Sequence, residues 1–181
     1  MTRKYSWPFA ALACLALLLV STWGAESPSP IPQPDFTNDT PVPVVRIVDG
    51  DTLVILLDGQ EQKVRLIGVD TPETVHPRKE VEHYGKEASA FLTNLLKGES
   101  VYLRYDQTKQ DRYGRLLAYL YRAPDGLFVN LEIVRQGYGH AYTKYPFQHM
   151  ELFRYYERQA REAGKGLWWS SSPTDKGAWQ K

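Results

Sequence analysis

Val48-Asp49-Gly50-Asp51-Thr52 and, one apolar run later, Lys63-Val64-Arg65-Leu66-Ile67-Gly68-Val69-Asp70-Thr71-Pro72-Glu73-Thr74 form the stretch on which the reading of this chain turns. Asp49, Asp51, Asp70 and Glu73 set four carboxylates in two loops, with Arg65 between them. The run Thr52-Leu53-Val54-Ile55-Leu56-Leu57 has strand length and composition, and Asp58-Gly59 after it is a hairpin turn signal. A hairpin there would bring the loop after Val48 and the loop after Val69 to one end of a sheet. Carboxylates gathered at one place repel one another unless a cation neutralises them. Oxygen ligands favour Ca²⁺ or Mg²⁺, and Arg65 could then hold an anion beside the metal. That is a phosphodiester site in outline.

Taken singly these pieces are weak. Asp, Gly, Thr and Pro are ordinary turn residues, and a carboxylate after Pro72 is an ordinary surface group. A third element adds weight: Asp111-Arg112-Tyr113-Gly114-Arg115 supplies a second fixed arginine beside an aromatic ring.

Around this stretch the chain divides by composition. Arg3 and Lys4 precede an apolar run from Trp7 to Val20, followed by Ser21, Thr22, Gly24 and Ala25. A run of 14 apolar residues falls short of the ~20 needed to span a bilayer. Residues 1–25 therefore read as a secretory signal peptide cleaved near Gly24, with an uncleaved N-terminal membrane anchor as the alternative. Cys14, the single cysteine, lies inside that run and excludes an internal disulfide. Residues 26–43 carry Pro28, Pro30, Pro32, Pro34, Pro41 and Pro43 and read as an extended linker. The globular part is expected over 44–169, with a polar tail at 170–181.

Within the globular part, Val44–Val48, Thr52–Leu57 and Gln62–Val69 read as strands, with a bend at Gly68. After a polar loop from Val75 to Val81, Ala88, Phe91, Leu92, Leu95 and Leu96 mark one face of a helix ended by Gly98. Val101–Tyr105 and Leu116–Tyr121 read as a fourth and a fifth strand. Asn130 is placed to cap a short helix running to Arg135. A last helix spans about Gln148 to Ala163, with Leu152, Tyr156, Ala160 and Ala163 on one face. Pattern alone gives a small α+β domain. The formal net charge of +1 makes no global case for a nucleic-acid binder, so any attraction for phosphate has to be local. His76, His83, His140 and His149 lack metal-ligand spacing.

The two acidic loops and Asp111–Arg115, taken in this order, resemble the staphylococcal nuclease (thermonuclease) family. Tyr84-Gly85 before Glu87-Ala88-Ser89-Ala90-Phe91, and Val134-Arg135-Gln136-Gly137, extend the resemblance from about Val44 to Trp168. It implies a five-stranded Greek-key OB-fold β-barrel with three helices. It further implies a calcium-dependent nuclease that hydrolyses DNA and RNA with little sequence preference. Asp51, Asp70 and the main-chain carbonyl of Thr71 would then bind Ca²⁺. Glu73 would position or deprotonate the attacking water, and Arg65 and Arg115 would grip the phosphate. Arg112, Tyr113 and Tyr142 would flank the nucleotide, although Gly137–Tyr145 is one residue shorter than the family pattern. For Tyr142 a core role is the alternative, and for Asp49 a turn-shaping role is. No stable protein partner is implied, and a membrane only if the N-terminal segment stays attached. The rival reading is a non-catalytic OB-fold nucleic-acid-binding module, disfavoured by the presence of all five charged residues.

Overall fold

The structure is a computed structural model and describes residues 30–73 and 84–169. The expectations for residues 1–25, for the loop from Val75 to Val81 and for the tail from 170 lie outside the described residues.

Five strands close into a barrel in the order β1 (Val42–Asp49), β2 (Thr52–Leu57), β3 (Gln60–Leu66), β6 (Leu116–Arg122), β5 (Ser100–Arg104). The β2–β3 hairpin sets the register on which the site depends. Asp58 and Gly59 both hold positive φ, 51° and 76°, as a two-residue type I′ turn requires. The register then runs from Leu57↔Gln60 to Thr52↔Arg65. Arg65 is thereby set beside the β1–β2 turn that carries Asp51. β3 and β6 pair in parallel, Val64 opposite Leu116, across the connection that contains α1 (Gly85–Leu96) and β5.

The core is filled by Leu53, Ile55, Val64, Leu66, Val101, Ala118 and Leu120, all essentially buried. α1 buries Gly85, Ala88, Leu92 and Leu96, the face that apolar spacing predicts. α2 (Val129–Arg135) is buried from Val129 to Val134 and so shows no amphipathic period. α3 (Met150–Glu162) buries Leu152, Phe153 and Ala160, with Tyr156 partly buried and Ala163 exposed, contrary to expectation. The expected third strand is divided. β3 stops at Leu66, and Val69–Asp70 forms a separate strand, β4, paired with β7 (His140–Ala141).

Asn130 does not cap α2. It lies inside the helix, fully buried, accepting from Leu120 N at 2.8 Å and donating to Ile67 O and Ala118 O at 3.0 Å. The side chain thus completes main-chain bonding where α2 crosses β6 and the turn after β3. Asn130→Leu preserves volume but orphans the Leu120 N–H and the Ile67 carbonyl, while Ala118 O keeps its bond from Ile67 N at 3.1 Å. Each orphan costs about 1–3 kcal/mol, so a loss upwards of about 2 kcal/mol is expected as a lower denaturation midpoint in urea at unchanged m.

The proline-rich stretch from residue 30 to β1 has no helix or strand, makes one turn in which Asp39 N donates to Phe36 O at 3.0 Å, and is held on the barrel. Phe36 stacks on Tyr102, centroids 4.3 Å apart, and Arg104 lies 4.7 Å over the Phe36 ring. Arg104 Nη2 also donates to Asp35 O at 2.9 Å and pairs with Asp39.

Candidate functional site

The β1–β2 turn and the segment that follows β4 meet at one end of the barrel. Gly50 makes that approach possible, since a Cβ there would lie 2.7 Å from Thr71 Oγ1 and 2.8 Å from Ala88 Cβ. The buried Asp51 carboxylate organises the contact. Its Oδ1 accepts from Thr52 Oγ1 at 2.9 Å, and its Oδ2 from Thr71 N at 3.1 Å and Thr71 Oγ1 at 3.2 Å. Arg65 bridges from there to Asp70. Its Nη2 donates to Asp70 Oδ1 at 2.9 Å, while Nη1 is buried against Asp51 Oδ2 as an ion pair, off the axis that a hydrogen bond needs. Asp51, Asp70, Thr71 and Arg65 are thus brought together.

Asp70 is half-exposed. Burial pushes its carboxyl above the ordinary value and the Asp51 charge adds to the rise, against opposing pulls from Arg65 and His140. The four carboxylates do not converge as one group. Among the described residues, no three His, Cys, Asp or Glu side chains come together in a way that could hold a metal ion. Asp49 Oδ1 instead accepts from Gly50 N at 2.8 Å, shaping the turn. Glu73 is half-buried at the end of the described stretch and does not line the groove.

A groove of about 560 Å³ runs past this end of the barrel, within the roughly 300–1,000 Å³ of small-ligand sites. Arg65 and Asp70 line it together with Arg112, Tyr113, Arg115 and Tyr142. Asp111 clamps the loop that carries three of these. Its Oδ1 accepts from Tyr113 N at 2.9 Å and Arg115 N at 3.0 Å, and its Oδ2 from Arg115 Nε at 2.7 Å. Burial alone would raise the Asp111 carboxyl; the Arg115 and Tyr113 bonds outweigh it and hold the group below the ordinary value. Among the described residues, the Arg115 Nη groups take no protein acceptor. Tyr113 is 68% exposed; Arg112 Nη2 donates to its hydroxyl at 2.6 Å, and the Arg112 guanidinium lies 4.8 Å over its ring. Tyr142 is half-buried, donates its main-chain N–H to Gly68 O at 3.0 Å and meets Tyr145 edge-on at 6.1 Å.

Sequence reasoning assigned no role to Asp111, Tyr145 or Phe147, all of which line the groove. The i, i+3 spacing of Tyr142 and Tyr145 was the available signal for the second tyrosine. Nothing in a polar loop singles out Asp111 as its clamp.

Two carboxylates within reach of one guanidinium, with Asp70 burdened by burial and by the Asp51 charge, fit a hard divalent cation bound through few protein ligands. Two guanidiniums lining one groove suit a bound phosphate, and an exposed tyrosine offers a face for a base.

A family profile described as "Staphylococcal nuclease homologue" matches residues 63–170. The chain is 39% identical over 132 residues to a protein named thermonuclease from Staphylococcus hyicus, covering 72% of this chain and 77% of that one. It is 48% identical over 98 residues to the thermonuclease of Staphylococcus intermedius, covering 54% and 57% respectively. A protein of Escherichia coli O157:H7 named an uncharacterized endonuclease is 32% identical over 137 residues, or 76% and 82% of the two chains.

Proposed function

The chain belongs to the staphylococcal nuclease family, and from that premise we propose that it is a calcium-dependent nuclease acting on DNA and RNA. The observation that carries the reading is the groove lined by Arg65, Asp70 and Arg115 together with the exposed ring of Tyr113. Asp51, Asp70 and the Thr71 carbonyl would hold the cation. When bound, it supplies Lewis-acid stabilisation of charge on the phosphoryl oxygens.

The remaining steps belong to the chain itself. Arg115, fixed through Asp111, offers a guanidinium fork to two phosphate oxygens, a geometry that lysine cannot copy. Arg65 donates to Asp70 and is ion-paired with Asp51, and a phosphate in the groove competes with both carboxylates. Both arginines stabilise the charge that accumulates as the fifth oxygen adds to phosphorus. Glu73 is the group we assign to the attacking water. Tyr113 and Tyr142 stack on the nucleotide, and Arg112 adds a phosphate contact. Because this grip takes phosphate and base faces rather than base edges, little sequence preference follows.

We further propose export through residues 1–25, to be checked by fractionating cells for the cleaved chain. The activity is tested by incubating the purified protein with single-stranded DNA and with RNA, in millimolar Ca²⁺ and in EDTA. Both substrates are expected to shorten in calcium alone. Calcium without substrate is expected to raise the melting temperature by mass action. Equal digestion in EDTA removes the cation from the reading, and no digestion in either condition favours a binding module.

A further inference from the structure

β4 and β7 form a ladder of two residues each, in which Asp70 lies directly opposite His140. Cross-strand partners of an antiparallel pair share one face, with Cβ atoms about 4.5–5.5 Å apart. The approach is close throughout: a Cβ on Gly139 would lie 3.1 Å from Asp70 O and 3.1 Å from Thr71 Cγ2. The backbone of β7 is thus the wall against which the Asp70–Thr71 loop rests.

β7 is held in turn by side chains from the end of the chain. His140 Nδ1 lies 3.5 Å from Glu157 Oε1 on α3. Glu157 also accepts from Arg161 Nη2 at 3.1 Å, and the Arg161 guanidinium sits 3.9 Å over the Trp168 ring. That ring meets His140 edge-on at 5.0 Å. Burial would raise the Glu157 carboxyl, but hydrogen bonds to His140 and Arg161 outweigh it and keep the group below the ordinary value. His140 is therefore located from two sides, by a carboxylate and by an indole.

We propose that His140, held by Glu157, is a positioning residue for Asp70: it fixes β7 and through it the loop that carries the candidate cation ligands. The proposal rests on the reading of Asp70 as a ligand, but its structural half can be measured without a cation. The indicators are two amides at this junction. Thr71 N–H is bonded to Asp51 Oδ2 at 3.1 Å and Tyr142 N–H to Gly68 O at 3.0 Å.

The experiment compares the parent, His140→Ala, His140→Gln and Arg161→Gln by amide hydrogen exchange in EDTA and by calorimetric titration with CaCl₂. His140→Ala is expected to speed exchange at Thr71 and Tyr142 about tenfold through local opening, with amides away from the junction, such as Ala123 N–H on Ser100 O at 2.8 Å, unchanged. It should also weaken calcium binding about tenfold, the lower end of the ~10–100-fold cost of removing an outer partner of a metal ligand. His140→Gln, which keeps a donor toward Glu157, should recover most of both. Arg161→Gln loosens Glu157 and the Trp168 ring beside His140 and should fall between the parent and His140→Ala in both. Exchange in His140→Ala within about twofold of the parent overturns the proposal, as does a His140→Gln protein that behaves like His140→Ala. A parent that takes no calcium refutes the cation reading, while the exchange comparison still decides whether His140 positions the loop.

Discussion

Arg115→Lys is expected to lower kcat by about 10²–10³ while leaving KM within a few-fold, because the lost fork acts mainly as charge builds in the transition state. The structure separates this loss from any loss of fold. Arg115 has two roles with different atoms. Its main-chain N–H is bonded to Asp111 Oδ1 at 3.0 Å and survives substitution. Its Nε bond to Asp111 Oδ2, at 2.7 Å, is lost. That pair is partly exposed, so its removal costs at most about 1 kcal/mol and the melting temperature should move by a few degrees. Lysine retains the charge, so general attraction for the polyanion persists and only the paired geometry goes. Arg112→Lys is the internal comparison: the side chain is exposed and leans on Tyr113, and a mild effect on KM is expected. Steady-state kinetics and a thermal melt on both variants decide the matter. Near-normal turnover in Arg115→Lys would falsify the assignment of its guanidinium to the reacting phosphate.

The parts of the site that could be read from sequence are those that local structure assembles. Asp51, Arg65 and Asp70 lie on or beside one hairpin, and an Asp-Gly turn sets the register that puts Arg65 opposite Thr52. Once the turn is recognised, little else is needed to bring the two acidic loops together. The Arg112–Arg115 wall of the groove was likewise legible as a group, since its residues are consecutive. Its attachment was not, because Asp111 is one polar loop residue among several and only the fold shows that it takes three donors.

Elsewhere tertiary context overrode local rules. Asparagine ahead of a short apolar run favours a helix cap, yet Asn130 is needed between α2 and β6, where buried main-chain groups would otherwise lack partners. α2 offered no period because both of its sides are covered. Six prolines read as a linker, while Phe36 against Tyr102 and Tyr121, with Arg104 over its ring, fixes part of that stretch to the barrel. The β4–β7 ladder is too short to leave any pattern at all, although it is what sets His140 beside Asp70.

Asp70→Asn is expected to separate activity from stability in the opposite sense to a core mutation. The folded chain holds the Asp70 carboxyl above its ordinary value, chiefly through burial and then through the Asp51 charge. A raised value means that folding favours the uncharged form, so at neutral pH the ionised side chain works against the fold when no cation is bound. Asparagine removes the charge and keeps the shape, including an oxygen to accept from Arg65 Nη2. In EDTA the variant should therefore melt at or above the parent temperature. With calcium the order reverses: the parent gains stability by mass action, and the variant, short of one anionic ligand, gains little. Turnover at saturating substrate and fixed calcium should fall about a hundredfold, in line with the several kcal/mol that a bound cation contributes to charge stabilisation. Asp51→Asn is a less clean substitution, because the buried Asp51 carboxylate also accepts from Thr52 and Thr71 and pairs with Arg65. Losing its charge is expected to lower stability in EDTA as well as activity. Melts of both variants with and without calcium, read beside their rates, distinguish a ligand from a scaffold carboxylate. An Asp70→Asn protein with parental turnover and a parental calcium-dependent melting shift would remove Asp70 from the cation site.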